Sequence, residues 1–231
     1  MRKFDWSDCN DPWRMLPLLR GYASDRKFRL FAIECCRPLK VLLRDDRSFW
    51  ALEICEQFAE GVASIESLQK AYVESFTVYE EIQDDSEGAE SAALAIASAC
   101  WVKQDEWEKS LIEVIDNSIG LSRFFMPWKN AKHIQKRKLC RIIRDIFYPP
   151  LQSILFENDL LTWNNGLIPK LARTIYDSRD FELFPILADA IEEGGCVDDC
   201  ILHHARERME HFRGCWLIDT ILGKGNEKRT P

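Results

Sequence analysis

The chain has 231 residues, enough for one large domain or two small ones with a substantial buried core. It contains few glycines and prolines for this length, which favours helices, and its net charge of -7 argues against general attraction to nucleic acid or an acidic membrane. The first residues lack the apolar stretch of a secretory signal, and the longest apolar run, residues 92–102, is far shorter than the ~20 residues of a membrane span. We therefore expect a soluble, cytoplasmic protein.

Nine cysteines are scattered along the chain, and no C-x-x-C pair occurs. The odd number and the absence of a redox motif argue against a disulfide framework. Most of the cysteines lie in apolar helical context, where they are expected to act as small buried hydrophobes in a reducing compartment: Cys35, Cys36, Cys55, Cys100 and Cys140.

Capping and helix-breaking residues divide the first half of the chain into predicted helices. Asp11 and Pro12 start the first, Pro38 is expected to kink or split the second, and Ser48 and Ser64 start the third and fourth. The predicted helices cover, in order, residues 12–20, 25–41, 48–60, 64–82, 89–102 and 105–120.

Residues 121–128 form an apolar connector, and a basic helix follows, with apolar residues recurring at spacings of three and four up to Ile146. No strand alternation and no hairpin dipeptide between apolar runs is found. We predict an all-α fold, a multi-helix bundle or irregular helical array of about ten helices. We expect a single helical domain over residues 1–231, with candidate subdivisions near 83–90 or 121–130.

The segment from Leu121 to Arg144 contains eight lysines and arginines and no acid. Such a run predicts a phosphate-contacting face for nucleic acid or a docking face for an acidic protein. The alternative is a solvated helix face that pairs with the acidic remainder of the protein. The candidate binding residues are Lys129, Lys132, Lys136, Arg137, Arg141 and Arg144.

Three of the four histidines lie in one segment, ILHHARERMEHFRGCW, residues 201–216. Two pairs are four residues apart, Cys200 with His204 and His211 with Cys215, which is how one helix face presents metal ligands. Cys196 adds a fifth candidate, and structural zinc needs four. The alternative is that these histidines hydrogen-bond to carbonyls or carboxylates at a helix end.

The same segment offers one catalytic hypothesis, a nucleophilic Cys215 with Arg213 beside it and His211 one turn away. No orienting group or oxyanion site can be identified for it. The chain also lacks the P-loop, G-x-G-x-x-G, H-E-x-x-H and G-x-S-x-G motifs. These absences argue against an enzyme without excluding one, and Cys215 fits better as a core residue beside Trp216.

Both ends of the chain resemble an uncharacterised, all-helical bacterial family that is abundant in planctomycetes and consists mostly of hypothetical proteins. The resemblance is carried by DPWRMLPLLRGYASDRKFRLFAIECCR and DDRSFWALEICEQFAEG near the start. Near the end it is carried by LTWNNGLIPKLARTIYDSRDFELFPILADAIEEGGC and HFRGCWLIDTILGK. It covers about the first 60 and the last 70 residues, and it implies a bacterial helical protein without supplying an activity or a cofactor.

The resemblance also bears on the metal hypothesis. The family has a cysteine where this chain has Ala205, and Cys200 has no counterpart. The similar positions are Cys9, Cys35, Cys36, Cys196, His204, Arg206, His211, Arg213, Cys215 and Trp216. The resemblance therefore moves the predicted zinc ligands to Cys196, His204, His211 and Cys215. From the segment itself, we expect Arg206, Arg213 and Trp216 to form a structural polar group that fixes the C-terminal helices.

Because the chain is helical and lacks catalytic motifs, we expect a non-catalytic protein that binds or regulates a protein partner in a bacterial multi-protein system. Any exposed tryptophan or phenylalanine cluster would anchor such an interface. The two alternatives are a zinc-stabilised protein and a nucleic-acid binder that uses the basic helix at 129–144. No other cofactor and no membrane partner is expected.

Overall fold

Helices make up the whole regular structure of the part of the chain that a computed structural model describes, residues 5–82, 88–103, 107–126, 129–147, 158–207 and 210–224. These residues contain twelve α-helices, three short 3-10 helices and no β-strand, which confirms the predicted all-α class. None of the described helices is long and apolar enough to cross a membrane.

The chain divides into two compact units. Unit 1 comprises residues 1–17 and 25–143, and unit 2 comprises residues 18–24 and 144–231. The two candidate subdivisions near 83–90 and 121–130 fall inside unit 1, and residues 83–87 and 127–128 lie outside the described residues. A single folding domain over residues 1–231 stays a prediction.

The first eight helices follow the predicted order except for α7, a single turn within the segment 121–128 that was expected to be an apolar connector. They are α1 Pro12–Met15, α2 Asp25–Cys36, α3 Asp46–Ala59, α4 Ile65–Glu81, α5 Ala89–Ala99, α6 Trp107–Gly120, α7 Ser122–Phe125 and α8 Ala131–Ile146.

Three local signals decide where these helices begin and end. Ser64 caps α4 as predicted, by accepting a hydrogen bond from the backbone N–H of Ser67. Pro38 splits the second predicted helix, so α2 gives way to a 3-10 helix, Arg37–Leu42. The predicted start of α3 at Ser48 is wrong, because Asp45 accepts the capping hydrogen bond from the Arg47 N–H and the helix begins earlier.

In unit 1, α3 packs on α4, α4 on α5 and α5 on α6, while α2 contacts α3, α5 and α6. The alanine-rich α5 is buried along most of its length, so its neighbours approach closely. Thiols help to join α3 and α5: Cys55 Sγ lies 3.1 Å from the Ala99 carbonyl, and Cys100 Sγ lies 3.4 Å from the Ala51 carbonyl. The five cysteines predicted to be buried are buried, and all nine cysteines are free thiols.

The described residues of unit 2 contain the end of α8 and four further α-helices, α9 Asn158–Ser178, α10 Phe184–Glu193, α11 Asp199–Arg206 and α12 Trp216–Ile221. Residues 163–166 interrupt α9 with non-helical backbone. The core of the unit is built from the apolar faces of these helices, and it includes Ile168, Ile175, Leu187, Ile191 and Leu217.

Candidate metal centre

Four buried side chains of unit 2 meet at one point: Asp145, His204, His211 and Cys215, which we call the polar cluster. One potential ligand atom from each residue can be chosen so that all four atoms lie within 4.8 Å of one another. Little of the cluster faces solvent: Asp145 is 0% exposed, His204 9%, His211 4% and Cys215 1%.

Local structure brings each residue of the polar cluster to this point. Asp145 lies in the last turn of α8 and His204 in α11, whose N-terminus is capped by Asp198. Asp198 Oδ1 accepts hydrogen bonds from the backbone N–H groups of Cys200 and Ile201. His211 lies between α11 and α12, and Cys215 is the residue just before α12.

The chain between His211 and Cys215 is held by a turn and by the Asp145 carboxylate. Gly214 has a φ of 88°, a left-handed conformation that glycine adopts without strain, and the Cys215 N–H donates to the Phe212 carbonyl at 2.9 Å. The Phe212 N–H donates to Asp145 Oδ2 at 2.7 Å. The carboxylate thus fixes the backbone beside the two side chains it faces.

The second carboxylate oxygen faces both imidazole rings. His211 Nδ1 lies 2.7 Å from Asp145 Oδ1, a hydrogen bond in which the ring N–H donates. His204 Nε2 lies 3.4 Å from the same oxygen and 3.2 Å from Cys215 Sγ. The other ring nitrogen of His211, Nε2, is buried and has no hydrogen-bond partner among the described residues.

Aromatic rings enclose the two histidines. The His211 ring stacks on Phe184 with a centroid separation of 3.7 Å and an interplanar angle of 13°. The His204 ring lies edge-on to His211 at 5.0 Å and 4.6 Å from the Trp216 ring. These rings pack on both imidazoles and hold their orientation.

Burial lowers the pKa of His204 to about 4. The Asp145 carboxylate opposes this shift, while His211 and His203 add to it. His204 is therefore neutral near pH 7, the state in which an imidazole nitrogen can bind a metal ion.

Two of the distances suit a small tetrahedral ion. Ligand atoms ~2.0–2.3 Å from a zinc ion at tetrahedral angles are separated by roughly 3.3–3.8 Å. The two separations from His204 Nε2 are close to that range. For an ion to bind, the 2.7 Å between His211 Nδ1 and Asp145 Oδ1 would have to lengthen, the proton would have to leave Nδ1, and any separation near 4.8 Å would have to shorten. Four protein ligands would leave no open position, which is typical of a structural rather than a catalytic site.

The geometry does not favour the nucleophilic cysteine. In a catalytic triad, one imidazole nitrogen faces the nucleophile and the opposite nitrogen donates to the orienting carboxylate. Here the same atom, His204 Nε2, faces both Cys215 Sγ and Asp145 Oδ1. Cys215 is also almost fully buried, so a substrate has no evident access to it.

Three of the four predicted zinc ligands come together, and the fourth does not. Cys196 is half-buried after the end of α10, where its backbone N–H bonds to the Ile191 carbonyl and its side chain packs on the apolar core. Asp145 takes the place predicted for Cys196. Sequence reasoning missed Asp145 because it follows a basic run, although it lies three residues after Ile142, on the apolar face of α8.

The remaining residues of the C-terminal segment lie around the cluster. The His203 side chain is 78% exposed, and Arg206 forms ion pairs at the surface with Glu192 and Asp189. Arg213 lies over the Tyr176 ring at 5.0 Å and donates to the Tyr176 carbonyl. Trp216 is buried against His204.

The predicted binding residues of the basic segment lie at or near the surface. Lys129, Lys132, Arg137 and Arg141 are exposed. Lys136 and Arg144 are half-buried.

No protein-family model matches the chain, and neither a curated protein nor a solved structure matches it. The resemblance to a planctomycete-rich helical family stays a prediction.

Proposed function

We propose that this protein binds one zinc ion in the polar cluster of unit 2, with Asp145, His204, His211 and Cys215 as ligands, and that the ion stabilises the fold. The observation that carries the proposal is the convergence of four buried potential ligand atoms within 4.8 Å of one another.

The donor set supports zinc over other common ions. A thiolate and two imidazoles with one carboxylate suit the borderline-soft zinc ion, whereas calcium and magnesium prefer oxygen ligands only. Charge supports it as well, since a carboxylate, a thiolate and two neutral imidazoles balance a doubly charged cation. A neutral site avoids the large free-energy cost of burying net charge.

The metal content of the purified protein tests the proposal. The full chain is expressed with zinc in the medium, purified without a metal-affinity column, and analysed by elemental mass spectrometry. We expect close to one zinc per chain, while less than about 0.2 per chain would contradict the proposal.

Matched cysteine variants locate the ion. Cys215→Ser removes the proposed thiolate ligand, and Cys200→Ser removes an exposed thiol on α11. In protein reloaded with cobalt, we expect the thiolate-to-cobalt charge-transfer band to disappear in Cys215→Ser and to persist in Cys200→Ser. A band that survives both changes would place the metal elsewhere.

Binding or regulation of a protein partner stays a prediction. The most exposed large apolar side chains of the described residues lie on separate segments of the chain, and they include Tyr22, Val41, Val62, Val73, Ile186 and Val197. A pull-down from the native host that finds no specific partner would argue against this function.

A further inference from the structure

The outer surface of α8 and the turn before it carry five cations, Lys129, Lys132, Lys136, Arg137 and Arg141, which we call the basic face. None of these five side chains forms an ion pair or a hydrogen bond with another described residue. Four of the five lie on a solvated face, as the alternative expects, but among the described residues none of the five pairs with the acidic remainder of the protein.

Other arginines of unit 1 pair with acids. Arg26 Nη2 lies 3.1 Å from Glu60, Arg37 lies 2.7 Å from Glu34, and Arg47 lies 2.8 Å from Asp45. In a chain with a net charge of -7, acids are plentiful, yet the basic face keeps its positive charge. Its local potential can attract an anion within about one Debye length, ~8 Å at physiological salt, despite the net negative charge.

The cations of α8 form two rows. Lys132 and Lys136 are one helical turn apart, as are Arg137 and Arg141, and at about 100° per residue the second row lies roughly 140° around the helix from the first. Each strand of a nucleic-acid duplex carries one phosphate per ~3.4 Å of helix axis, so the ~6 Å rise within each row matches about two successive phosphates.

Two other polyanionic partners fit less well. A membrane-surface helix inserts an apolar face into lipid, but the apolar residues of α8, such as Leu139 and Ile143, are buried in the protein. A protein interface needs apolar or aromatic anchors, and the one large apolar side chain that α8 exposes is Ile134, at 39%. Among the described residues, a surface of cations with so little exposed apolar area suits a phosphate backbone.

We propose that the basic face binds the phosphodiester backbone of a nucleic-acid duplex without reading its sequence. The proposal does not depend on zinc in the polar cluster, because the five residues belong to unit 1 and the cluster belongs to unit 2.

Fluorescence anisotropy of a labelled mixed-sequence DNA duplex, titrated with the full chain at 50–200 mM salt, tests the proposal. We expect a Kd on the order of 1–100 μM, and log Kobs falling with log salt by about 0.9 per neutralised phosphate, to a slope of up to about -4. Binding that does not weaken with salt, or a Kd weaker than about 1 mM at the lowest salt, would overturn the proposal.

A pair of charge-matched variants locates the interaction. Lys132→Gln with Arg137→Gln removes two exposed cations of the basic face. Lys109→Gln with Arg173→Gln removes two exposed cations from α6 and α9, so both variants have the same net charge. We expect the first variant to lower the magnitude of the salt slope by about 1.8 and the second to leave it within about 0.3.

An equal decrease of the salt slope in both variants would show that net charge, not the basic face, determines DNA binding. That result would overturn the proposal. Polyglutamate tests the competing partner. If polyglutamate binds the unmodified chain and the duplex does not, the face recognises acidic protein and the nucleic-acid proposal fails.

Discussion

Replacing Asp145 with asparagine separates a metal site from a purely hydrogen-bonded cluster. Asparagine has nearly the same shape, and its amide oxygen can still accept from the Phe212 N–H, but it carries no negative charge. Hydrogen bonds to charged groups stabilise by ~1.5–3 kcal/mol and neutral ones by ~0.5–1.5 kcal/mol. In the presence of a chelator we therefore expect Asp145→Asn to lower the free energy of unfolding by about 1–2 kcal/mol, since removing a buried charge offsets part of the loss.

Added zinc should raise the free energy of unfolding of the unmodified protein more than that of Asp145→Asn. At a free zinc concentration 100 times its Kd, binding to the native state alone stabilises the unmodified protein by about 2.7 kcal/mol. If unit 2, with its 95 residues, unfolds by itself, that corresponds to a rise in its Tm of roughly 10–20 °C. The asparagine variant lacks one ligand and the charge that balances the ion, so we expect it to gain less than about 0.5 kcal/mol at the same zinc concentration.

The assay is urea unfolding followed by circular dichroism, with and without zinc, on both proteins. His203→Ala is the matched control, because His203 lies next to a proposed ligand and its side chain is 78% exposed. We expect this control to gain as much stability from zinc as the unmodified protein. Equal zinc increments in the unmodified protein and Asp145→Asn, or no increment in the unmodified protein, would refute the reasoning.

Three further substitutions test the supports of the structure. Asp198→Ala removes the N-cap of α11 and should lower the free energy of unfolding by about 1 kcal/mol in urea titrations. The control Asp199→Ala changes an exposed neighbour and should cost clearly less. Equal costs would contradict the capping role of Asp198. Phe184→Ala removes the buried ring that stacks on His211 and should cost about 3–5 kcal/mol. A loss below about 1 kcal/mol would contradict the burial of Phe184 in the core of unit 2. Asp45→Ala removes the cap of α3 and should cost about 1 kcal/mol by thermal unfolding; an unchanged Tm would argue for the predicted start at Ser48 instead.

The fold class was predictable from the sequence because the signals for it are local. Few glycines, apolar residues at helical spacings, and caps such as Ser64 act within one turn of chain. The start of α3 was misplaced because Asp45 and Ser48 are both good capping residues, and only the backbone geometry shows which one bonds to a free N–H.

The polar cluster was only partly predictable, because its members lie far apart in the sequence. His204, His211 and Cys215 are in one segment, so their spacing pointed to a common site. Asp145 lies about 60 residues earlier and is joined to them by tertiary structure alone. A buried acid at an apolar position of a helix was the available signal, since such an acid needs partners in the core.

X-ray absorption at the zinc edge of the loaded protein tests the proposed centre most directly. We predict one sulfur ligand at about 2.3 Å and three nitrogen or oxygen ligands at about 2.0–2.2 Å, the shell that Cys215, His204, His211 and Asp145 would provide. A shell without sulfur would show that the zinc lies outside the polar cluster and would contradict the account.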